Sequence, residues 1–363
     1  MITRNVLATL FAFATIPLSA APTNVSAALR AYVTKALAKC PDAKIDLSPI
    51  DQQGPSGFVP FSVTQTSSDS ACGRQTYLLF SPTTSQVIIG TIFGLPLDNR
   101  SAEVRIAEKT STLLKYNLTA TVSPFPLPDG LHAVSMTRET PWGAFSYHAF
   151  IDASQRFLVV GSRGSLYVDP GTSLVESLGL ENAVRRGNPK APLKIIELSD
   201  FQCPSCGRAH KDVEPLIAKH LSKIDYYRLD LPLFDHHEWA LPAALGGRAI
   251  QVVAPAKYWS YVNFVFENQE AIGKSGSFDK TLRNFCEDYD IDWKRVEKIY
   301  QSTAERSALL EQISRAFDTG VNSTPTYIIN GQILGFGPKG TFTIAAIKKA
   351  LGLPDTKTTK TPR

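Results

Sequence analysis

The stretch Leu193-Lys194-Ile195-Ile196-Glu197-Leu198-Ser199-Asp200-Phe201-Gln202-Cys203-Pro204-Ser205-Cys206 decides how the second half of this 363-residue chain is read. Its first six residues form a compact apolar run, the mark of a buried strand. Beyond it, from Gly207 to about Leu221, Val213, Leu216, Ile217, His220 and Leu221 recur at helical spacing. The two cysteines therefore fall where a strand hands over to a helix. A cysteine at that junction caps the helix, where unpaired backbone N–H groups and the positive end of the dipole favour a thiolate. Such thiols reach pKa values of roughly 3.5–7.5. Pro204 takes an early helical position, where a missing N–H loses nothing. Cys206, one turn in, faces back toward Cys203 and can close a disulfide with it.

Downstream, Ile224 to Leu231 reads as a second strand, and a long helical stretch runs from about Glu238 to Phe317. Pro325 to Ile329, then Asn330-Gly331, then Gln332 to Phe336 reads as a hairpin, because Asn-Gly between apolar runs is a strong turn signal. A last helix, Thr343–Ala350, ends at Gly352 with Pro354 just beyond. Strand, helix, strand, helical insertion, hairpin and final helix predict an α/β thioredoxin-like domain over 187–353. Thr324-Pro325 opens the hairpin; a proline there cannot donate to the ladder and favours a strand start. Were its peptide bond cis, the Thr324 backbone would turn out beside the cysteines and could pair with an extended substrate segment. Spacing alone gives only the strand start.

Upstream, Arg185-Arg186-Gly187-Asn188-Pro189-Lys190-Ala191-Pro192 reads as a hinge, poor as helix or strand. Residues 24–185 before it form an α+β region. Ser26 to Leu37 is an amphipathic helix, followed by strand-like runs at Gly57–Thr66, Arg74–Ser81 and Gln86–Phe93. Helix Ala102–Lys115 then precedes runs at Leu131–Thr137, Phe145–Ile151 and Arg156–Gly161. Helix-strand-strand-strand thus occurs twice, and Gly57, Tyr77, Phe80, Gly90 and Asp98 find counterparts in Gly130, Tyr147, Phe150, Gly161 and Asp169. The nearly constant offset indicates an internal duplication, with repeats over 26–98 and 101–169. Two such units could pair their sheets across a pseudo-twofold, giving one chain a surface that otherwise needs a dimer. His132 and His148, single residues in strand patterns, read as structural.

Residues 1–21 read as a signal peptide: Arg4, an apolar core from Val6 to Ile16, and small residues at Leu18-Ser19-Ala20-Ala21. An uncleaved N-terminal anchor is the alternative. The mature protein is expected to be soluble and extracytoplasmic, in the periplasm or an equivalent compartment. Disulfides persist there, and a lone C-x-x-C is then a weak zinc signal. No metal site and no cofactor are expected. Cys40 and Cys72 are expected to form a structural disulfide closing a loop of about 30 residues and adding roughly 3–4 kcal/mol; two unpaired buried thiols are the alternative. Cys286, in a helical pattern with apolar neighbours, reads as a core residue. A net charge of +5 is mild and does not argue for nucleic acid. The tail 354–363 is polar and basic, and expected to be disordered.

Ala191-Pro192-Leu193, Leu198-Ser199-Asp200-Phe201-Gln202-Cys203-Pro204-Ser205-Cys206 and Ser323-Thr324-Pro325-Thr326 with Asn330-Gly331 resemble the thioredoxin-fold disulfide oxidoreductases of the DsbA-like type. The resemblance covers about 187–353. It implies that Cys203 is the exposed attacking thiol, Cys206 the buried resolving thiol and Pro325 cis, with the helical insertion capping the site. It also matches His236 or His237, with Ala240, Ala243 and Ala244, to a family His before an Ala-rich helix, taken here as packing. The family commonly has His before its second cysteine, where this chain has Ser205; a neutral hydroxyl stabilises a thiolate less than a cation does. The plan of an α+β region ahead of a thioredoxin fold is similar, in arrangement only, to the periplasmic isomerases of DsbC-like type.

The function expected is thiol-disulfide exchange on protein cysteines through the CPSC pair. Its partners would be cysteine-containing exported proteins and a membrane or periplasmic protein that recycles the dithiol. The alternative is an isomerase or chaperone-like protein using the N-terminal region as a client platform.

Overall fold

The computed structural model describes residues 26–37, 40, 42–68, 73–334 and 341–354. The segments expected to be a signal peptide and a tail, and Cys72, lie outside them, apart from Pro354 at the start of the tail. The first unit comprises α1 (Ala27–Leu37), β1 (Lys44–Pro49), β2 (Val59–Thr66), β3 (Arg74–Phe80), β4 (Gln86–Gly94), α2 (Ala102–Leu114), β5 (Thr119–Pro126), β6 (Leu131–Thr140), β7 (Gly143–Asp152), β8 (Phe157–Ser165) and α3 (Pro170–Leu178). Helix α2 starts where the Ser101 hydroxyl accepts from Val104 N–H and stops at Lys115 in the left-handed region. Its Ala102, Ile106 and Thr110 face inward at helical spacing.

One eight-stranded sheet takes the order β1-β2-β3-β4-β8-β7-β6-β5, which reads the same from both ends. Each half carries a helix on its own apolar core: Leu29 and Val33 of α1 against Leu47, Phe61, Val63 and Leu78, and Ile106 of α2 against Val134, Met136, Ala149 and Leu158. Strands β1 and β5 were absent from the sequence expectation, so each half is a helix with four strands rather than three. Gly57 and Gly130 both turn at φ +81°, a left-handed conformation that favours glycine. The halves join where antiparallel β4 and β8 put Gly90 opposite Gly161. A methyl on Gly90 would come 2.0 Å from the Val160 carbonyl oxygen, and one on Gly161 2.3 Å from that of Ile89. Only glycine fits this seam.

The second unit follows as β9 (Val184–Gly187), β10 (Leu193–Ser199), α4 (Pro204–Lys219), β11 (Ile224–Asp230), α5 (Ala240–Val253), α6 (Tyr258–Glu267), α7 (Gln269–Ser275), α8 (Phe278–Asp288), α9 (Trp293–Tyr300), α10 (Thr303–Asp318), β12 (Thr326–Ile329), β13 (Gln332–Leu334) and α11 (Thr341–Ala350). Its sheet order is β13-β12-β10-β11-β9, with β10 parallel to β11 and antiparallel to β12. Strand β10 is central and largely buried, with Leu193, Ile195, Ile196 and Leu198 in the core and Glu197 buried among them.

The first part of the stretch expected as a hinge, 185–187, is strand rather than linker, and 188–192 has no regular structure. Val184–Gly187 is an edge strand antiparallel to β11. Two of the three cationic residues at 185–192 are held by side chains: Arg185 donates to Asp225 at 2.7 Å, and Arg186 pairs with Glu214 and lies 3.7 Å over the Trp259 ring. Edge strands carry charge and glycine more readily than central ones do.

The two units share a core. Phe145 of β7 is buried in one cluster with Leu198, Leu229 and Ile313, and its ring meets Phe234 and Phe317 edge-on at 5.4 and 5.9 Å. Helix α10 lies on β7, where Ser314 Oγ donates to the Ser146 carbonyl at 2.7 Å and His148 Nδ1 pairs with Asp318 at 2.7 Å. His148 thus joins the units.

Candidate active site

Strand β10 delivers Cys203 to the N-cap of α4 in extended conformation, with Pro204 at the first helical position. The Cys203 N–H donates to the Asp200 carbonyl at 3.2 Å. Its thiol lies 3.6 Å from the carbonyl oxygen of Thr324, and the Thr324–Pro325 peptide is cis. The hairpin expected at 325–336 is present as β12 and β13, with residues 335 and 336 outside the described set. The site is therefore three loops brought together by one sheet: the end of β10, the start of β12, and the β11–α5 loop.

The two thiols differ in environment. Cys206 is fully buried, and burial pushes its pKa well above the usual thiol value; its shared hydrogen with Cys203 and the charge there act in the same direction. Cys203 goes the other way, lowered to about 5. The largest cause is the hydrogen bond from Cys206, opposed by burial, then aided by contact with Thr324 and by the N–H groups of Cys206 and Ser205 at the open turn of α4. Cys203 is only 7% exposed, against the expectation of an exposed thiol. The Thr324 carbonyl lies against its sulfur, and Gln269 at the start of α7 holds its backbone carbonyl. Pro204 beside it is exposed, and Ser205 Oγ accepts from Arg208 Nη2 at 2.7 Å.

Two residues that the sequence did not single out hold this loop. Gln269 donates to the carbonyls of Phe201 and Cys203 at 2.7 and 3.1 Å. Gly207 leaves room for it, since a methyl there would sit 2.4 Å from Gln269 Oε1. Asp200, 1% exposed, accepts from Gln202 N–H at 2.7 Å, Leu233 N–H at 2.8 Å and His237 Nδ1 at 2.6 Å, while its own N–H points at Cys206 Sγ at 3.4 Å. His237, expected to be packing, is thus a partner of the site's carboxylate, and that bond raises its pKa. Beneath the helix, the buried Glu197 accepts from Tyr226 OH. Buried Arg228 lies 4.2 Å over the Phe201 ring and pairs with Asp230. An Asp before C-x-x-C and a His in the next loop were both visible; their contact was not.

Among the described residues no group of three metal-binding side chains converges. Cys40 is disulfide-bonded. Cys286 is a free, fully buried thiol in the core cluster beside the site, pushed up to about 11 by burial.

Residues 180–351 match the family model described as Thioredoxin. The match covers just under half of the chain and agrees with the thioredoxin-like fold of this domain. Among curated proteins, the chain is 26% identical over 147 residues to Na(+)/H(+) antiporter NhaA 3 of Salinispora tropica, covering 40% of this chain and 21% of that protein. It is 26% identical over 166 residues to Na(+)/H(+) antiporter NhaA 1 of Salinispora arenicola, covering 46% and 24%. The chain spans less than a third of the length of these relatives. No described helix is long and apolar enough to cross a membrane. Similar solved structures are α-DsbA1 of Wolbachia pipientis (20% identity, TM-score 0.44, covering 50% of this chain and 96% of that one) and BdbD of Bacillus subtilis (18%, 0.39, 48% and 95%). MdbA, a thiol-disulfide oxidoreductase from Corynebacterium diphtheriae, is a third (19%, 0.39, 47% and 89%).

Proposed function

We propose that the protein is an exported thiol:disulfide oxidoreductase of DsbA-like type, acting on protein cysteines through Cys203 and Cys206. The observation that carries this is the asymmetry of the two sulfurs: one ionises at about 5 at a helix N-terminus, and its neighbour is buried and kept protonated. In the oxidised enzyme a substrate thiolate attacks Cys203 Sγ. The Cys203–Cys206 bond breaks, the electron pair leaves on Cys206, and that sulfur takes a proton. A second substrate thiolate then attacks the substrate sulfur of the mixed disulfide and expels Cys203 as thiolate. The substrate gains a disulfide and the enzyme holds the two electrons. Run backward, Cys203 attacks a substrate disulfide and Cys206 releases it. A low pKa makes Cys203 a good leaving group and so favours the first direction.

Thr324 and Pro325 would offer backbone to an extended substrate segment beside Cys203. Residues 1–21 would direct export, and a membrane or periplasmic partner would reoxidise or reduce the pair. Cys40 and Cys72 would form the structural disulfide of the first unit, whose halves we read as a duplication. Exposed Phe125 and Tyr167, 77% and 86% accessible, favour a second role for that unit as a client platform.

The test is covalent trapping. Cys206→Ala, which cannot release a mixed disulfide, should accumulate adducts with cysteine-containing proteins; Cys203→Ser should not. Absence of adducts, with Cys203 no more reactive at pH 6 than an ordinary thiol, would refute the proposal. Suppression of aggregation by Cys203→Ser at wild-type level would assign the first unit its own binding role.

A further inference from the structure

The β11–α5 loop, residues 231–239, is gripped from both sides. On its inner side Leu233 N–H and His237 Nδ1 bond Asp200, and Trp239 N–H donates to Gln202 Oε1 at 2.6 Å. On its outer side Asp235 takes two bonds from Arg138 Nη2, at 2.7 and 2.5 Å. Arg138 belongs to β6 of the first unit, where the alternation Val134, Met136, Arg138 turns it to the buried face. It is 7% exposed, with its guanidinium 4.0 Å over the Tyr116 ring and 5.5 Å from that of Phe234. A buried cation is retained only with a partner, and Asp235 is that partner. Between the grips the loop is short and internally bonded, with His236 and His237 N–H both donating to the Leu233 carbonyl at 2.9 and 3.1 Å.

We propose that Arg138 is a positioning residue for the dithiol: by anchoring Asp235 it seats His237 on Asp200, so the first unit governs how readily Cys203 ionises. This rests on the oxidoreductase reading above. The physical step is charge compensation. Asp200 is a buried carboxyl whose backbone touches both cysteines, and its negative charge opposes a thiolate. A protonated His237 on that carboxylate cancels the opposition. The hydrogen bond to Asp200 favours the cationic form of His237 most, burial opposes it, and the charges of Asp200 and Cys203 favour it further, leaving a net rise. His237 thereby supplies from the neighbouring loop a cation that Ser205 cannot supply from within the motif. Freed of Arg138, the loop has one grip left, and His237 loses its fixed seat.

The experiment uses the full chain in its reduced form and reads the pH midpoint of Cys203 thiolate formation, by ultraviolet absorbance and by alkylation rate. Arg138→Met keeps an unbranched side chain at the buried position and removes the charge; Asp235→Asn keeps the loop's shape. Both should raise the midpoint, with the ionisation constant falling about 2- to 30-fold, the span of coupling expected between linked sites. His237→Gln should shift it in the same direction, and Arg138→Lys should recover part of the effect. Arg163→Met, which removes an ion pair with Asp129 inside the first unit, should leave it unchanged. Midpoints of Arg138→Met and Asp235→Asn equal to wild type, in folded protein, overturn the proposal; if Arg138→Met does not fold, Asp235→Asn decides. A wild-type midpoint near that of a free thiol would instead sink the oxidoreductase reading itself.

Discussion

Cys206→Ala is the most informative single change, because the Cys206 hydrogen bond is the largest cause of the low Cys203 pKa. A hydrogen bond to a charged group is worth about 1.5–3 kcal/mol, and one pKa unit corresponds to about 1.36 kcal/mol. Removing the donor should therefore move Cys203 from about 5 to about 6–7. At pH 6 the thiolate fraction then falls from about nine-tenths to between about one-half and one-tenth. Thiolate nucleophilicity rises as pKa rises, with a slope of about 0.4–0.5, which partly masks the loss when a rate is read at one pH. The quantity to measure is the midpoint of a full titration from pH 4 to 9. Burial of Cys203, the main opposing influence, is left in place, since alanine replaces a side chain that is already wholly enclosed. A midpoint that stays at about 5 would mean that the helix N-terminus and Thr324 alone hold the thiolate, and the reasoning from Cys206 would be wrong.

Gln269→Leu should leave the Phe201 and Cys203 carbonyls without their donor and lower stability by about 1–3 kcal/mol, read as a drop in Tm in the oxidised and reduced forms alike. His148 is raised above its ordinary value by Asp318. Its contribution is therefore fully present below the unfolded value near 6.5 and fades as pH rises through the folded one. Wild type should exceed His148→Gln in denaturant midpoint at pH 5.5 and lose that advantage by pH 8.5; equal gaps at both would refute the assignment. Gly90→Ala places a methyl against the Val160 carbonyl and should destabilise by several kcal/mol, roughly the scale of core overpacking or worse, seen as a loss of Tm or of soluble protein.

The thioredoxin-like order was legible because each of its signals is local. A compact, mostly apolar run marks the central strand, helical periodicity marks α4, and Asn330-Gly331 marks the hairpin. Strands β1 and β5 were missed because both carry proline and polar residues at a sheet edge, where half the backbone needs no partner. The part of edge strand β9 at 185–187 was read as linker because its arginines and glycine suit neither helix nor strand on propensity alone. Its arginines are partnered by Asp225 and Glu214, residues distant in sequence, and charge alone cannot announce such pairs. At the site, Cys203, Cys206 and Thr324-Pro325 follow from motif and position. Gln269, Asp200 with His237, and Arg138 with Asp235 are contacts across folds of the chain. One trace was available: Arg138 sits where the alternation of β6 calls for an apolar side chain, and a charge on a buried face implies a partner elsewhere.

The glycine-lined seam between β4 and β8 joins two halves that are covalently continuous. A paired platform built from separate subunits comes apart when diluted below its dissociation constant, and its geometry then depends on expression level. Here the second half is always present at the effective concentration set by the connecting chain, far above that of free subunits in solution. The eight-stranded surface should consequently persist at any protein level, with one Cys203–Cys206 pair for its two halves.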